Sequence, residues 1–304
     1  MSLFRYLLVA AIAASASARA QVTPFPASFH VRDIATNGAV IHVRYGGTGP
    51  AVVLLHGFGD TGDMWEPLAA VLARDHLVIV PDLRGFGLSS HPASGYDKKT
   101  EAQDIAGVLD SLTVDHAEFV AHDIGNMVAF AFALWHTPRI TRLVLIDAPL
   151  PGVGKWDEYA HQVKTWHFYF YGKDEEHLVA GRERIYLDRF YDEFSANPAK
   201  VNEGIREHYT ALYARPNAIH DAFENFKAFP QDAEDNRAAL AAHGKLAIPV
   251  LAIGGDHSYG TEMATVAGEA FTTVQGAVIP DAGHWIMEEQ PAALIAVVRP
   301  FIGS

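Results

Sequence analysis

Asp123 stands at a turn where a carboxylate can act as a nucleophile. In "EFVAHDIGNMVAF", residues 118–130, the apolar run from Glu118 to Ala121 predicts a strand, and the residues from Met127 onwards predict a helix. A sharp His-Asp-x-Gly turn joins the two. A carboxylate is anionic at neutral pH, so it can displace a leaving group at a saturated carbon and form an ester of its own side chain. The alternative is that Asp123 only shapes the turn.

His284, in "PDAGHWIMEE", is the matching candidate for a base. Water must hydrolyse an ester on Asp123, and that water needs a base to take its proton. A histidine base in turn needs a carboxylate that fixes its tautomer. Two acids at the ends of apolar runs can supply it, Asp147 in "VLIDAPLP" and Asp256 in "AIGGDHSYG". The alternative for His284 is an ordinary histidine in a surface loop.

Two glycine-rich turns accompany these residues. The turn in "LLHGFGD", from His56 to Asp60, exposes backbone N–H groups that can stabilise an oxyanion. His-Gly pairs also occur in ordinary turns, so this motif alone does not identify a catalytic site. In "PDLRGFGLSS", residues 81–90, we expect Asp82 and Arg84 to hold loops together.

The elements that position these motifs alternate between apolar runs and helical patterns, which predicts a mostly parallel sheet. Continuous runs, typical of strands buried on both faces, are "AVVLLHG", "HLVIVPDL", "EFVAHD" and "RLVLIDA". "SFHVRDIAT" and "AVIHVRYGG" predict an opening antiparallel pair, and "PVLAIGG" and "TTVQGAVIPDAGH" resume the strands near the C-terminus. Ligands bind at the carboxyl ends of such strands, so the motifs should meet there.

One long region interrupts the alternation. From about Pro149 to Lys245 the chain has no convincing strand and is instead aromatic, charged and helical in pattern. We interpret it as a helical lid inserted between two strands, with an independent helical domain as the alternative. The predicted division is a signal peptide at 1–20, a first core part at 21–149, the lid at 150–245 and a second core part at 246–304.

The first twenty residues have the pattern of a secretory signal peptide. "MSLFR" is a short basic segment, "YLLVAAIAA" is apolar, and Ala18-Arg19-Ala20 fits a cleavage site. We therefore expect cleavage near Ala20 and a periplasmic or secreted protein that starts near Gln21. A buried first helix is the alternative. The apolar segment is too short for a transmembrane anchor.

Composition excludes several classes of function. The formal charge is −13, and loss of Arg5 and Arg19 with the signal peptide takes it to −15, so nucleic-acid binding is not expected. No basic or amphipathic tail indicates binding to a membrane surface. The chain has no cysteine, which excludes disulfides, thiolate metal sites and a cysteine nucleophile. We predict no cofactor and no metal, while a homodimer stays open.

The motifs together resemble the α/β-hydrolase superfamily. HGFG, DLRGFG, the Asp turn and the terminal GHW occur in its order, and the likeness covers roughly residues 28–302. The carboxylate at the turn makes the chain similar to the Asp-nucleophile branch of epoxide hydrolases and dehalogenases. This resemblance implies an α/β-hydrolase fold with a helical lid and an oxyanion hole from the N–H groups of Phe58 and Ile124. "IDAPLP" resembles a branch that takes its acid from the earlier strand, which favours Asp147 over Asp256.

The resemblance also separates epoxide hydrolases from dehalogenases. Haloalkane dehalogenases place a Trp directly after the nucleophile, where this chain has Ile124. Fluoroacetate dehalogenases place Arg near the nucleophile, where this chain has Ile124 and Met127, and a Trp after the lid His, where it has Phe168. Because these features are missing, the resemblance implies a small apolar epoxide as substrate. The alternatives are a haloalkane or haloacid dehalogenase, and a non-catalytic ligand-binding protein of the same fold.

The lid resembles that of secreted bacterial epoxide hydrolases of the cystic fibrosis transmembrane regulator inhibitory factor type. The similar segments are "FVAHDIG", "DAPLP", "WHF" and "LYARP" with "AFENFKAF". The resemblance implies that His167 helps to open the epoxide ring. The ring-opening Tyr of that subfamily aligns with Phe226, which cannot donate a hydrogen bond.

Three explanations for Phe226 stay open. Another lid tyrosine takes over (Tyr169, Tyr209 or Tyr213), His167 acts alone, or the leaving group is a halide that needs no acid. The lid aromatics Trp166, Phe168 and Tyr169 predict a mainly apolar binding surface, and core packing of the lid is the alternative.

Overall fold

An eight-stranded sheet organises the described part of the chain. The computed structural model describes residues 22–303, so the predicted signal peptide lies outside the described residues. The strands are β1 (His30–Thr36), β2 (Ala39–Gly46), β3 (Ala51–Leu55), β4 (Leu77–Pro81), β5 (Ala117–His122), β6 (Ile140–Ile146), β7 (Leu246–Gly255) and β8 (Phe271–Ile279). Their order in the sheet is β1-β2-β4-β3-β5-β6-β7-β8.

The sheet is mostly parallel, as predicted. β1 pairs with β2 and β2 with β4 in antiparallel fashion, which confirms the opening antiparallel pair. All other neighbours are parallel. The central strand β3 is buried along its whole length, because helices cover both faces of the sheet. Val53 and Leu55 face one apolar core, while Val52 and Leu54 face the other.

Helices connect the strands and form the two outer layers. They are α1 (Glu66–Leu72), α2 (Lys98–Ser111), α3 (Ile124–Trp135), α4 (Trp156–Ala160), α5 (Lys173–Val179), α6 (Glu183–Phe194), α7 (Glu203–Tyr213), α8 (Ala218–His243), α9 (Glu262–Ala270), α10 (Ile286–Glu289) and α11 (Pro291–Phe301). Short 3-10 helices cover Gly62–Trp65, Thr137–Arg139, Val163–Tyr169 and Pro198–Lys200. Residues of α2 and α3 pack in one apolar core, and residues of α1 and α11 pack in the other. Within residues 22–303, no helix is both long and apolar enough to span a membrane.

All regular secondary structure between β6 and β7 is helical. From Ile146 to Leu246, all of which is described, the chain contains α4 to α8 and two of the 3-10 helices, with no strand. This arrangement accounts for the loss of strand patterning in the sequence. The domain limits at 149/150 and 245/246 stay predictions.

Asp82 and Arg84 hold loops near the site, as expected. Asp82 accepts hydrogen bonds from Arg44 and from the Gly62 N–H group, both at 2.9 Å. Arg84 donates from Nε to Asp104 at 2.6 Å. Both side chains are buried, so paired charges are needed to offset their desolvation.

Candidate active site

Asp123 occupies a strained turn between β5 and α3. Its φ of 53° and ψ of −121° lie in a region that residues with a side chain rarely adopt. Two glycines make room for this turn. A Cβ on Gly57 would stand 2.3 Å from the Asp123 Cβ, and a Cβ on Gly125 would stand 2.4 Å from the Leu55 carbonyl oxygen. The glycines therefore let the carboxylate stand close beside the neighbouring strand end.

Backbone N–H groups flank the Asp123 carboxylate. The Phe58 N–H group donates to Asp123 Oδ1 at 2.8 Å. Ile124 is the first residue of α3, where N–H groups have no acceptor within the helix. The turn after β3 thus brings one predicted oxyanion donor, Phe58, to the carboxylate, and the other, Ile124, directly follows Asp123 at the start of α3. They can stabilise negative charge that develops on an Asp123 oxygen.

His284 lies between Asp123 and Asp147. Its Nε2 is 3.7 Å from Asp123 Oδ2, and its Nδ1 is 3.0 Å from Asp147 Oδ2. Since a carboxylate only accepts hydrogen bonds, the proton belongs on Nδ1, and Nε2 faces Asp123. The fully buried Asp147 carboxylate also accepts from the N–H groups of Gly255 and Tyr259, at 2.9 and 3.3 Å. These bonds fix the acid and, through it, the imidazole.

Asp256 does not reach this group of residues. It follows β7, is largely exposed, and accepts from the Ala282 N–H group at 3.1 Å. Its Oδ1 also lies 3.9 Å from Nε2 of His257. The geometry therefore supports Asp147, the residue favoured from the resemblance, as the partner of His284.

Charge around His284 changes its proton affinity. Burial alone lowers the pKa of His284, but the hydrogen bond to Asp147 and the charges of Asp123 and Asp147 outweigh burial and raise it above the ordinary value. His122 lies against His284, with ring centroids 4.5 Å apart, and its Nε2 contacts the His284 carbonyl oxygen at 2.9 Å. Burial, the largest effect, lowers the pKa of His122 well below its usual value, so His122 adds no charge near neutral pH.

A small cavity of about 70 Å³ opens above Asp123 and His284. Its aromatic wall consists of Phe58, Phe168, Phe190, Phe194, Phe226 and Trp285. Its polar lining consists of Asp123, Asp147, Lys164, Thr165, His167, Ser258, Tyr259 and His284. A mainly apolar cavity with a few converging polar groups is the usual form of a small-molecule site. Within residues 22–303, no cluster of three or more His, Cys, Asp or Glu side chains is arranged to hold a metal ion.

His167 reaches this cavity from the 3-10 helix Val163–Tyr169. It is 8% exposed, and its ring packs against Phe190 and Phe226, with centroids 4.9 and 5.3 Å away. Burial, the largest effect, lowers the pKa of His167 to about 3, although the charge of Asp123 opposes this shift. At neutral pH the ring is therefore neutral, and one of its nitrogens carries a hydrogen that can be donated.

The predicted tyrosines do not line the cavity, although Phe226 does. Tyr213 accepts a hydrogen bond from the Gly59 N–H group at 2.7 Å, so its hydroxyl holds the turn after β3. Tyr209 is buried beside a different cleft, near Glu288. Tyr169 is half exposed, and its hydroxyl is 3.2 Å from a nitrogen of His161.

The other two lid aromatics differ in position. Trp166 packs against the guanidinium of Arg189, 4.5 Å from its ring, and against the ring of Phe190. It does not appear in the cavity wall, so its predicted binding role becomes one of lid packing. Phe168 does line the cavity.

Several cavity residues were not anticipated from the sequence. Tyr259 follows β7 in the loop that also carries Asp256, and its N–H group holds Asp147. The ammonium of Lys164 lies 5.5 Å from the centre of the Tyr259 ring, at the edge of the cavity. Phe190 and Phe194 come from α6. Of these residues, only Tyr259 could have been found from the sequence, because it lies near the end of a predicted strand. Helix packing brings the other residues to the cavity.

Comparisons with known proteins show the family of this chain. Residues 50–291 match the α/β hydrolase fold family. A soluble epoxide hydrolase of Corynebacterium sp. (strain C12) is 30% identical over 273 residues, covering 87% of this chain and 94% of that protein. A fluoroacetate dehalogenase of Burkholderia sp is 26% identical over 292 residues, covering 91% and 94%.

A solved structure is also similar in fold. The crystal structure of the Cif epoxide hydrolase from Acinetobacter nosocomialis gives a TM-score of 0.86 at 23% identity, covering 93% of this chain and 92% of that one. At this level of identity, the likeness supports the fold and leaves the choice of substrate to the chemistry of the site.

Proposed function

Because this chain belongs to the α/β-hydrolase fold family and its relatives support a hydrolase function, we propose that it is an epoxide hydrolase that forms a covalent ester on Asp123. The observation that carries the proposal is the contact series Asp123–His284–Asp147 at the floor of an apolar cavity. The hydrogen bond from the Phe58 N–H group to Asp123 supports the same proposal.

In the first half-reaction, Asp123 Oδ2 attacks a ring carbon of the epoxide. A bond forms between that carbon and the carboxylate, the ring carbon–oxygen bond breaks, and the ring oxygen keeps the electron pair. The neutral His167 ring donates a hydrogen bond to this oxygen, which then takes a proton from solvent. His284 need not accept a proton in this step, since the nucleophile is already anionic.

In the second half-reaction, water attacks the carboxyl carbon of the ester. His284 Nε2 takes the water proton, and the N–H groups of Phe58 and Ile124 stabilise the oxyanion. The bond from the carboxyl carbon to the diol oxygen then breaks, and that oxygen takes the proton from His284. The Asp123 carboxyl releases the remaining water proton to solvent and is again a carboxylate, which balances the proton taken up in the first half-reaction. Esterification removes the charge of Asp123, one of the charges that raise the pKa of His284, so the base becomes easier to deprotonate when it is needed.

A dehalogenase acting through the same ester is the second candidate. Phe226 favours it, because the cavity lacks a lid tyrosine and a departing halide needs no proton. A non-catalytic binding protein is less well supported, since Asp123, His284 and Asp147 are all present and in contact.

Side-by-side assays of a terminal epoxide, a bromoalkane and a haloacetate would separate the two enzymes. We expect diol from the epoxide, with halide release slower, and neither product from Asp123→Ser. Halide release without any diol would replace the epoxide hydrolase with the dehalogenase. A protein that forms neither product and gains no mass on Asp123 would support the binding protein.

A further inference from the structure

A second cavity lies on the lid, beside the one above Asp123. It has a volume of about 320 Å³, against about 70 Å³ for the catalytic cavity. Its lining includes Trp156, Ala160, Tyr169, Phe229, Ala233 and Arg237. We call this second cavity the lid groove. The catalytic cavity is well below the range of roughly 300–1,000 Å³ typical of sites for drug-sized ligands, whereas the lid groove falls within it.

Phe168 is the one residue that lines both cavities. On the groove side its ring stacks on Trp156, with centroids 5.7 Å apart, and meets Phe229 edge-on at 4.9 Å. On the catalytic side it stacks on Phe226 at 6.2 Å. Phe168 thus lies in the shared wall, beside the direct contact of Phe226 with Phe229 at 5.7 Å, and its neighbours on each side belong to different cavities.

The segment that carries this ring is anchored. The Thr165 hydroxyl shares its single hydrogen between the carbonyl oxygens of Tyr159 and Gln162, which lie 2.7 and 2.9 Å away. These bonds fold the chain into the 3-10 helix that also carries His167. The proposed ring-opening donor and the shared wall are therefore adjacent residues on one fixed support.

We propose that Phe168 sets the length of the substrate, restricting the enzyme to short-chain epoxides by closing the catalytic cavity off from the lid groove. This inference rests on the proposed epoxide hydrolase function. A short epoxide fits above Asp123 with its substituent against Phe190, Phe194 and Phe226. A longer chain on that side meets the Phe168 ring, and removal of the ring joins the two cavities.

A homologous series from 1,2-epoxypropane to 1,2-epoxydecane tests the proposal. We expect kcat/KM of the wild type to fall about tenfold or more from the short to the long members. In Phe168→Ala the ratio of long-chain to short-chain kcat/KM should rise about tenfold or more, since each buried methylene is worth about fourfold. Phe168→Leu should give a smaller rise and serves as the second variant if the alanine variant is poorly folded.

Phe194→Ala is the matched control, because Phe194 lines the catalytic cavity and not the lid groove. It removes the same kind of ring from the same cavity without opening that cavity to the lid groove, so its length ratio should rise clearly less than that of Phe168→Ala. An equal rise in both variants would mean that cavity volume alone matters, and would overturn the role of Phe168 as the dividing wall. A wild type that turns over epoxydecane as well as epoxypropane would overturn it too.

Binding measurements keep this test separate from the proposed reaction. Calorimetry with alkane-1,2-diols of three to ten carbons reports chain-length preference without turnover. If no epoxide yields diol, the proposed function fails, and the diol affinities still decide the role of Phe168. Affinities that increase with chain length in Phe168→Ala but not in the wild type would support the inference. The same dependence of affinity on chain length in both proteins would reject it.

Discussion

The proposed nucleophilic role of Asp123 predicts where the oxygen of water goes. Because water attacks the carboxyl carbon of the ester, one turnover in ¹⁸O-water should place the label in Asp123 and not in the diol. Mass spectrometry of the peptide carrying Asp123 measures this after a reaction with excess enzyme. Label in the diol after that single turnover would instead mean direct attack of water on the epoxide. Asp123→Ser should incorporate no label.

His284 should act only in the second half-reaction. His284→Gln removes the base while leaving Asp123 anionic, so the ester should form and then persist. Intact-mass spectra taken with an epoxide should show a stable adduct of the mass of the substrate. If the variant forms no adduct, the two-step scheme loses its support.

The choice between the two candidate acids can be tested in the same way. Asp147 contacts His284 Nδ1 at 3.0 Å, whereas Asp256 is held by the Ala282 N–H group. Asp147→Asn should therefore slow ester hydrolysis by about 100-fold or more, because the tautomer of His284 is no longer fixed. Asp256→Asn is the matched control and should stay within about threefold of the wild type. The reverse order would place the acid on the later strand.

The raised pKa of His284 gives a pH prediction with a definite sign. The base must be neutral, so ester hydrolysis should slow as the pH falls through the pKa of His284. In the ester the charge of Asp123 is absent. The midpoint of the curve of ester hydrolysis rate against pH should therefore lie at lower pH than the pKa of His284 measured by NMR in the free enzyme. A midpoint equal to or above the free-enzyme value would mean that Asp123 does not set the proton affinity of His284.

At the scale of elements, the approach of β3 to the Asp123 turn depends on glycine. In Gly57→Ala the new Cβ would overlap the Asp123 side chain at 2.3 Å, and the nucleophile would have to move. We expect a loss of about 100-fold or more in ester formation, since a misplacement of about 1 Å has this effect. Gly268→Ala in α9 is the control, because a Cβ there meets nothing within 4 Å. Equal activities of the two variants would contradict the prediction.

The sequence predicts these elements better than their packing. Strands such as β3 and β5 show as continuous apolar runs, because burial on both faces leaves a local signature. The Asp123 turn and His284 are marked by neighbouring residues, and the likeness of "IDAPLP" to one branch of the superfamily favoured Asp147. Phe190 and Tyr259 were missed, since side chains reach the cavity through contacts between segments far apart in sequence. The same reason explains why Tyr213, a candidate from its place in the lid, instead holds the Gly59 turn.

For the molecule as a whole, export is the first prediction. The segment "SARA" before Gln21 motivates cleavage after Ala20, and a periplasmic or secreted protein would follow. N-terminal sequencing of the protein from the periplasm or medium should begin at Gln21. Ala20→Pro places a residue at the cleavage site that signal peptidases do not accept, and it should leave the precursor uncleaved. A wild-type chain that keeps Met1 would end the proposal.

The buried acid Asp60 and the partly buried acid Glu288 should make the folded state less stable as the pH rises. Both Asp60 carboxylate oxygens and Glu288 Oε2 are buried without a hydrogen-bonding partner in the described part of the chain. Burial, followed for Asp60 by the charges of Glu288 and Asp123, raises the pKa of both acids. The folded protein therefore keeps protons that the unfolded chain has already released.

The sign of the pH dependence follows from this difference. Below the ordinary carboxyl pKa both states are protonated, and the stabilisation is fully present. Between that value and the raised pKa the unfolded chain binds fewer protons, so the free energy of unfolding falls, by about 1.4 kcal/mol per pH unit for each proton. Glu288→Gln removes one of these ionisations, and its stability relative to the wild type should increase from pH 5 to pH 9.

Urea unfolding of both proteins at the two pH values measures the effect, with Glu158→Gln as the control because Glu158 is exposed on the lid. The control should follow the wild type at both pH values. A Glu288→Gln variant that instead loses stability relative to the wild type on going to pH 9 would show that the Glu288 carboxylate is stabilised as an anion.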